Sequence, residues 1–561
     1  MTITAYTNEI VEWDYISDKS YKEPFYNITL DVIISSDQKT WSVPTFWRGE
    51  NRWSVRFIPP TSGSYKIKTR CSDSSNASLH NVEHTLRVET SPASPPKDLY
   101  IDLDKKVLKY SDDTAFLWLA DTWWMGLSDR LAYPEDFHTL AQDRKKKGFN
   151  VIFLVAGLYP DMDAFDERGA NANGFVWEKG FARINPAFFD EADRRIEHLV
   201  SKGFIPCIVG AWGYYLLKMG EEKMRRHWEY LIARWGAYPV IWCAAGEAAM
   251  PYYLSTSPAK DKEKQIQGWT EIIRFIRRRD PFKRLVTIHP TEMGREQIQD
   301  PNLLDFELLQ ASHNGYESIF RGVKLIEKSR KKEPKMPVIM GEINYEGIIH
   351  DTGAEMQRFA FWSSMLQGAC GFTYGANGIW QVNTPEKPFG ASPHGGCWGN
   401  TPWEEAMEQK GSYQIGLAKE FLQTLPWEDI QPKPEWIAPL KPSLDRDTPH
   451  IAGIEEKLRI VYFYGPVYPW AQHYRLLKLE AHIAYEAFFW DPRTAKRHPL
   501  GMVTATKKGE WDVPTLPTFE DWVLVLKATP ASKNSISFQA KNKLKKRLFS
   551  SLKTILDSFR K

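Results

Sequence analysis

The sequence predicts an α/β protein in which a central (β/α)8 TIM barrel is flanked by two all-β sandwich domains. Three observations carry that expectation. Eight short apolar runs alternate with charged, helix-like stretches across residues 99–430, the pattern of parallel βαβ units closing into a barrel. Residues 1–93 and 435–530 show the period-two alternation of antiparallel strands instead. A Pro/Ser-rich linker, SPASPPKD (91–98), separates the first of these regions from the barrel.

Taken in order, NITLDVIIS, NRWSVRFIP and GSYKIKTRC alternate apolar with polar residues, and the turns RGEN and PPTSGS punctuate them. A small antiparallel sandwich follows from that pattern. The barrel strands are expected at FLWLAD (116–121), NVIFLVAG (150–157), IPCIVGAW (205–212), VIWCAAGE (240–247), RLVTIHP (284–290), LDFELLQAS (304–312), PVIMGE (337–342) and GFTYGAN (371–377). Amphipathic stretches such as PEDFHTLAQDRKKKG and FDEADRRIEHLVSKG lie between them and end at Gly, as a helix C-terminus does. No G-x-G-x-x-G follows the first strand, which disfavours a dinucleotide fold. KLRIVYFYG, EAFFWDPRTAK and DWVLVLK supply strands of the second sandwich. Residues 531–561 are polar, then basic, with Leu544, Leu548, Leu552, Ile555, Leu556 and Phe559 at helical spacing.

Bulk properties exclude several function classes. Residues 541–561 carry a net charge of +7 against +3 for the whole chain, so residues 1–540 are mildly acidic, at −4. That body is not a nucleic-acid binder. The basic amphipathic tail suits an anionic membrane surface or a protein partner. Five scattered cysteines without a C-x-x-C fit a reduced compartment and no zinc framework. The N-terminus lacks the features of a signal peptide, and no apolar run approaches the roughly 20 residues of a membrane span. A cytoplasmic location is therefore expected. No H-E-x-x-H, G-x-S-x-G or P-loop motif occurs, and the histidines are not at ligand spacing. Neither a catalytic metal nor another cofactor is expected.

The chemistry is carried by Glu247 and Glu342, each at the end of an apolar strand, the fourth and the seventh. Barrels present reactive groups at strand C-termini. A carboxylate pair there is the minimum equipment for cutting a glycosidic bond, one delivering a proton and the other trapping the oxocarbenium-like centre. Glu342 is read as nucleophile and Glu247 as acid/base, because the Ala, Gly, Met and Pro around Glu247 would raise its pKa. The bland alternative for either is a salt-bridging Glu in a loop.

Other strand ends supply candidates for substrate binding. Asp121, followed by Trp123 and Trp124, either grips sugar hydroxyls or caps the next helix. Tyr159 and Asp161 follow the second strand, and Trp212 ends the third. His289, Gln310 and His313 lie at the ends of the fifth and sixth, where a His either orients a carboxylate or is a satisfied structural residue. Tyr345 and Glu346 sit just beyond Glu342, and Tyr374, Trp380 and Gln381 follow the eighth strand. The tryptophans serve equally as sugar platforms or as a hydrophobic lid. A transglycosidase would use the same carboxylates, and a catalytically silent glycan-binding scaffold is the non-enzymatic alternative.

FLWLADTWW, RKKKGFNVI, VIWCAAGE, VIMGEINYEG and QGACGFTYGANGIWQ together resemble the apiosidase-like glycoside hydrolases over most of residues 110–382. SDKSYKEPF and FWRGENRWSVRFIPPTSGSYKIKT resemble the β-sandwich that often precedes that barrel, and FFWDPRTAK the collagen-binding-type sandwich that often follows it. The resemblance implies a (β/α)8 glycosidase with its nucleophile at the Glu of the GE-x-x-YE run, here Glu342, and its acid/base after the fourth strand, here Glu247; a carboxyl gap of about 5 Å gives retention, the expected outcome, and a wider gap gives inversion. It implies a carbohydrate substrate of the plant-cell-wall side-chain class, apiose included. Family members often carry Asp at the acid/base position, where this chain has the longer Glu247 in an AAGEAAMP setting.

Overall fold

The computed structural model describes residues 2–92, 98–350, 352–440, 445–465 and 473–529. Most of the linker and the basic tail, residues 541–561, lie outside the described residues.

The N-terminal region is a two-sheet antiparallel sandwich. One sheet orders Thr2–Tyr6, Glu83–Glu89, Gly63–Cys71, Leu30–Ser35 and Thr40–Pro44, with the outermost Thr2–Tyr6 pairing in parallel. The other orders Val11–Ile16, Arg52–Phe57 and Phe46–Gly49. Gly63–Cys71 shows why this segment is a strand. Its Tyr65, Ile67, Thr69 and Cys71 are buried and the intervening residues are exposed, so one face packs the core and the other meets water.

Eight parallel strands follow: Trp118–Thr122, Val151–Val155, Ile205–Val209, Ile241–Cys243, Val286–Thr287, Glu307–Gln310, Val338–Glu342 and Gly371–Tyr374. All are buried along their length, as strands covered on both faces must be. Ladders join the first strand to the second and the eighth and continue round the barrel, but the fifth and sixth strands share none. That seam is closed by individual bonds. Asp305 N donates to Val286 O at 2.9 Å, and the Asp305 carboxylate accepts from Val286 N at 2.6 Å.

Helices cover the outside, including Glu135–Lys146, Pro186–Ser201, Glu221–Trp235, Pro258–Arg279 and Tyr316–Lys331. Gly148 and Gly203 end two of these crossovers at φ +81° and +75°, the left-handed turn that glycine allows. The fifth crossover departs from the expected eight-fold repeat. Its short TEMGREQIQDPN segment forms only two 3-10 turns, Gly294–Gln297 and Pro301–Leu303, because it is too short for a covering helix and a return.

The sandwich is tied to the barrel by a buried ion cluster. Asp193, on the helix Pro186–Ser201, accepts from Arg56 of the sandwich and from Arg234 Nε at 3.0 Å, and Trp235 Nε1 donates to it at 2.7 Å. Burial alone would raise the Asp193 pKa, but Arg234 and Arg56 outweigh it and hold the group at about 2. Its contribution to stability is therefore full above the unfolded value near 4 and is lost as pH falls toward 2. Asp193→Asn is expected to cost about 3 kcal/mol in denaturant unfolding at pH 7, since it removes the buried charge shared by two buried guanidinium groups and leaves them only the more exposed Glu12 and Asp190. The difference from wild type should shrink between pH 4 and 2; a pH-independent difference would contradict the electrostatic account.

The C-terminal unit starts at Phe421, joined by Leu366–Gly368. It is a six-stranded antiparallel sheet ordered Gln431–Pro432, His450–Ile454, Leu458–Phe463, Trp522–Ala528, Tyr485–Trp490 and Arg497–Val503. A short three-stranded sheet accompanies it (Ile437–Ala438, Arg475–Leu476, Trp511–Asp512). The core between them includes Trp436, Phe463, Tyr485, Phe489 and Trp522. All five cysteines are free. No helix among the described residues is long and apolar enough to cross a membrane.

Candidate active site

A cavity of about 190 Å³ opens at the C-terminal ends of the barrel strands, and both Glu247 and Glu342 line it. They come from different strands, 95 residues apart in sequence, yet one side chain touches both. Gln310 Nε2 donates to Glu247 Oε1 at 2.9 Å and to Glu342 Oε1 at 3.2 Å. Those two oxygens can therefore lie no farther apart than the two bonds laid end to end, 6.1 Å.

Each carboxylate is built into place. Glu342 ends the seventh strand and is only 6% exposed. The Tyr345 hydroxyl donates to its Oε2 at 2.8 Å, and Trp124 Nε1 donates to that hydroxyl at 3.0 Å. His313 Nε2 is 2.9 Å from Glu342 Oε1. The Tyr345 backbone N–H donates to His313 Nδ1 at 3.3 Å, which leaves the neutral ring's proton on Nε2, facing the carboxylate. His289, fully buried, brings its Nε2 within 3.2 Å of Glu342 Oε2 without hydrogen-bond alignment. Gly375 makes this packing possible, because a Cβ there would lie 2.1 Å from the Tyr345 ring.

Glu247 stands on a turn held at φ +39°, a left-handed conformation uncommon outside glycine. The preceding Gly246 is required by Trp212, whose ring a Cβ would meet at 2.3 Å. Trp212 Nε1 in turn donates to Glu247 Oε2 at 3.3 Å. The glycine of the AAGE run is thus required by the indole laid across it.

The two acids are driven apart electrostatically. Burial, followed by the negative charge of Glu342, pushes Glu247 up to about 7. Burial would raise Glu342 as well, but the neighbouring His289 and His313 outweigh it and hold that carboxyl well below the usual range. Near neutrality Glu247 is therefore the group that more readily holds a proton, and Glu342 the one that stays ionised.

Of the other strand-end candidates, Trp124, Trp212, Gln310, His313, Tyr345 and Trp380 line the same cavity, as does Asp161. His289 lies just behind them against Glu342 and stacks edge-on to Trp124, with ring centroids 5.5 Å apart. A second group points into the barrel wall. Asp121 is fully buried, accepting from Arg144 Nε at 2.6 Å and from Trp123 Nε1 at 2.9 Å. Trp123 packs edge-on to Phe137. Glu346 accepts from the Tyr374 hydroxyl at 2.6 Å and from Gly411 N at 2.9 Å, which places both residues in a structural pair. Tyr159 is buried against Gly169, and Gln381 accepts from Gly378 N at 3.1 Å. Asp121, Trp123, Tyr159, Glu346 and Tyr374 are not among the residues lining the cavity.

Sequence reasoning missed Tyr253, His394 and Trp398 and read Met250 only as part of the apolar setting of Glu247; all four line the cavity. Tyr253 follows Glu247 by six residues in the run AAMPYY, an aromatic pair that was available as a signal. His394 and Trp398 sit in the long connection after the eighth strand. That connection is fastened by Arg168 Nη1, which donates to Phe389 O at 2.8 Å and Ala391 O at 3.1 Å, and by Arg130 Nε, which donates to Gln381 O at 2.8 Å. Among the described residues no cluster of three or more His, Cys, Asp or Glu side chains is arranged to hold a metal ion.

The catalytic-domain model of the Apiosidase-like family matches residues 103–429, and a model for a domain of unknown function (DUF5060) matches residues 3–72. Among solved structures, a glycoside hydrolase is 20% identical with a TM-score of 0.64, over 77% of this chain and 97% of its own. A glycoside hydrolase family 5 protein from Bacteroides vulgatus is 21% identical with a TM-score of 0.64, over 77% of this chain and 92% of its own. A second Bacteroides vulgatus protein is 15% identical with a TM-score of 0.67, over 94% of this chain and its whole length. At these identities the likeness shows the shared fold. No curated protein matches the chain.

Proposed function

Since this chain belongs to the apiosidase-like family of glycoside hydrolases, we propose that it cleaves its glycosidic bond with retention, Glu342 acting as nucleophile and Glu247 as general acid/base. The observation that supports this most is the Gln310 amide shared between the two carboxylates. A bound of 6.1 Å on those oxygens suits the roughly 5–5.5 Å spacing of retaining enzymes. Inverting enzymes hold the two groups roughly 6.5–9.5 Å apart to admit a water between them.

The steps follow from the residues. A Glu342 oxygen forms a bond to the anomeric carbon while the bond from that carbon to the leaving oxygen breaks, and Glu247 gives its proton to that oxygen. Three donors, Tyr345, His313 and Gln310, hold Glu342 ionised and oriented for the attack. Water then enters on the side the leaving group vacated. Glu247, now a carboxylate, takes a proton from it as the water oxygen bonds to carbon and the Glu342 ester breaks. Trp124, Trp212 and Trp380 give the cavity apolar faces of the kind that pack against sugar rings.

Proton NMR of the first-formed hydrolysis product tests the proposal. The product should carry the anomeric configuration of the substrate before mutarotation. An inverted first product would remove Glu342 from the nucleophile's role.

A further inference from the structure

We propose that Gln310 is the positioning residue of the acid step: its amide settles which oxygen of Glu247 carries the proton and holds the carboxylate that the departing proton leaves behind. The inference rests on the glycosidase reading above, in which Glu247 is the acid/base, and adds the side chain through which that acid works. Three observations carry it.

The first is the seat of the side chain. The sixth and seventh strands pair Leu309 with Met340 but Gln310 with Glu342, so Gly341 is the extra residue of a bulge. Bulges re-aim the side chains beside them. A Cβ on Gly341 would stand 3.2 Å from Leu308 Cβ and Leu309 O, so the crowded bulge suits glycine. The Gln310 N–H donates to Glu292 O, on the loop after the fifth strand, at 2.9 Å. Gln310 is thereby held beside Glu342, buried in the cavity wall.

The second is the direction of the amide. An ionised carboxylate only accepts hydrogen bonds, so beside Glu342 the amide must present its NH2 group. One hydrogen serves Glu342 Oε1 at 3.2 Å and the other serves Glu247 Oε1 at 2.9 Å. In a protonated carboxyl the carbonyl oxygen is the better acceptor, so this bond makes Oε1 the carbonyl and leaves the proton on Oε2. Trp212 Nε1 is 3.3 Å from that oxygen, so the leaving group meets the acid on the Trp212 side. Gln310 Oε1 is buried with no partner among the described residues. The two carboxyl groups, and no bond of its own oxygen, set the way the amide is turned.

The third is the imbalance of donors. Besides Gln310, Glu342 has the Tyr345 hydroxyl at 2.8 Å and His313 Nε2 at 2.9 Å, so losing the amide leaves two. Among the described residues Glu247 accepts from Gln310 and, at the longer 3.3 Å, from Trp212. As the proton moves to the leaving oxygen and the Glu342–carbon bond forms, negative charge passes from Glu342 to Glu247. Gln310 is the closer donor already aimed at the new charge, and a donor in place before the charge arrives lowers the barrier. Burial and the Glu342 charge press Glu247 to stay protonated, and Gln310 is the largest cause acting the other way.

The competing role is a brace between the fourth and seventh strands that has no part in proton transfer. Gln310→Met separates the two, because it keeps the length of the side chain and removes both N–H donors. Methyl and dinitrophenyl glycosides of a panel of pentoses and hexoses are the probes, and the sugar that full-length wild type turns over fastest is carried through. The methyl glycosides need the proton and the dinitrophenyl ones do not. In Gln310→Met, kcat/KM on the methyl glycoside should fall by about 10- to 100-fold, the worth of one hydrogen bond to a charged group. On the dinitrophenyl glycoside kcat/KM should stay within about threefold. So should kcat where a burst of dinitrophenolate shows that breakdown of the Glu342 ester limits the rate, because Glu247 acts there as a base.

The alkaline limb on the methyl glycoside should move up from its wild-type position at about 7, since the lost donor favoured the ionised form. A loosened cavity would admit water and move the limb down. Gln310→Leu repeats the measurement with a second apolar side chain, and unfolding midpoints near wild type establish that both variants are folded. A uniform loss on all three rates, an unchanged rate on the methyl glycoside, or an alkaline limb that stays or falls would each overturn the proposal. Retention is decided by the wild-type product alone, whereas this inference is decided by how the variants depart from wild type, so the two failures are told apart.

Discussion

Glu342→Gln lowers hydrolysis by on the order of 10⁴-fold or more, the scale of loss when a covalent nucleophile is removed from a preorganised site. The variant keeps its fold, because the amide oxygen still accepts from Tyr345 and the replacement is nearly isosteric. Unfolding midpoints close to wild type would verify that. Two further readouts distinguish loss of a nucleophile from loss of packing. In Glu342→Ala, added azide should restore turnover and give a glycosyl azide of opposite anomeric configuration, since the small anion attacks from the side the carboxylate occupied. In Glu342→Gln, the Glu247 pKa should fall from about 7, because the Glu342 charge, the largest of its raising causes after burial, is gone. It should stay above the ordinary carboxylate value, because burial remains.

Glu247→Gln should cost about 10²–10⁴-fold on substrates whose leaving group needs a proton. The loss should be far smaller for a dinitrophenyl glycoside, whose leaving group departs unaided in the first step. The pH dependence gives the sharper test. Catalysis by the free enzyme requires Glu247 protonated and Glu342 ionised. With Glu247 at about 7, kcat/KM should be full below that value and fall as pH rises through it. The acid limb should appear only well below the usual carboxylate range, where Glu342 finally takes a proton. In Glu247→Gln the alkaline limb disappears. An alkaline limb near 7 that survives the substitution would assign the proton to another group.

The architecture was readable in the sequence because its signals are local. Fully buried parallel strands are continuous apolar runs, and all eight observed strands fall on the eight expected runs, with Thr122 alone extending past its window. That Glu247 and Glu342 share one cavity was readable for the same reason, since an acid that terminates such a run is placed at the barrel mouth by strand geometry. What strand position does not reveal is direction. Asp121 ends a strand as Glu342 does, but its carboxylate meets Arg144, 23 residues later, and becomes part of the wall. Glu346 is likewise consumed by Tyr374 and Gly411. These pairings join distant segments and leave no periodic trace.

The far side of the cavity was the least legible part. Tyr253, His394 and Trp398 reach it from loops, and their positions depend on fastenings such as Arg168 to Phe389 O and Ser392 to Asp161. The fifth crossover misled in another way. Eight strands implied eight helices, but a connection of this length closes with 3-10 turns and leaves a seam between the fifth and sixth strands.

The account's central claim is that a Glu342 oxygen becomes bonded to the sugar during turnover. Incubation with an activated 2-deoxy-2-fluoro glycoside of the cleaved sugar, followed by peptide mass spectrometry, tests it most directly. A fluoroglycosyl adduct on the peptide containing Glu342, absent from Glu342→Gln, is the predicted result. An adduct on a different residue, or turnover of the reagent with no adduct and an inverted product, would contradict it.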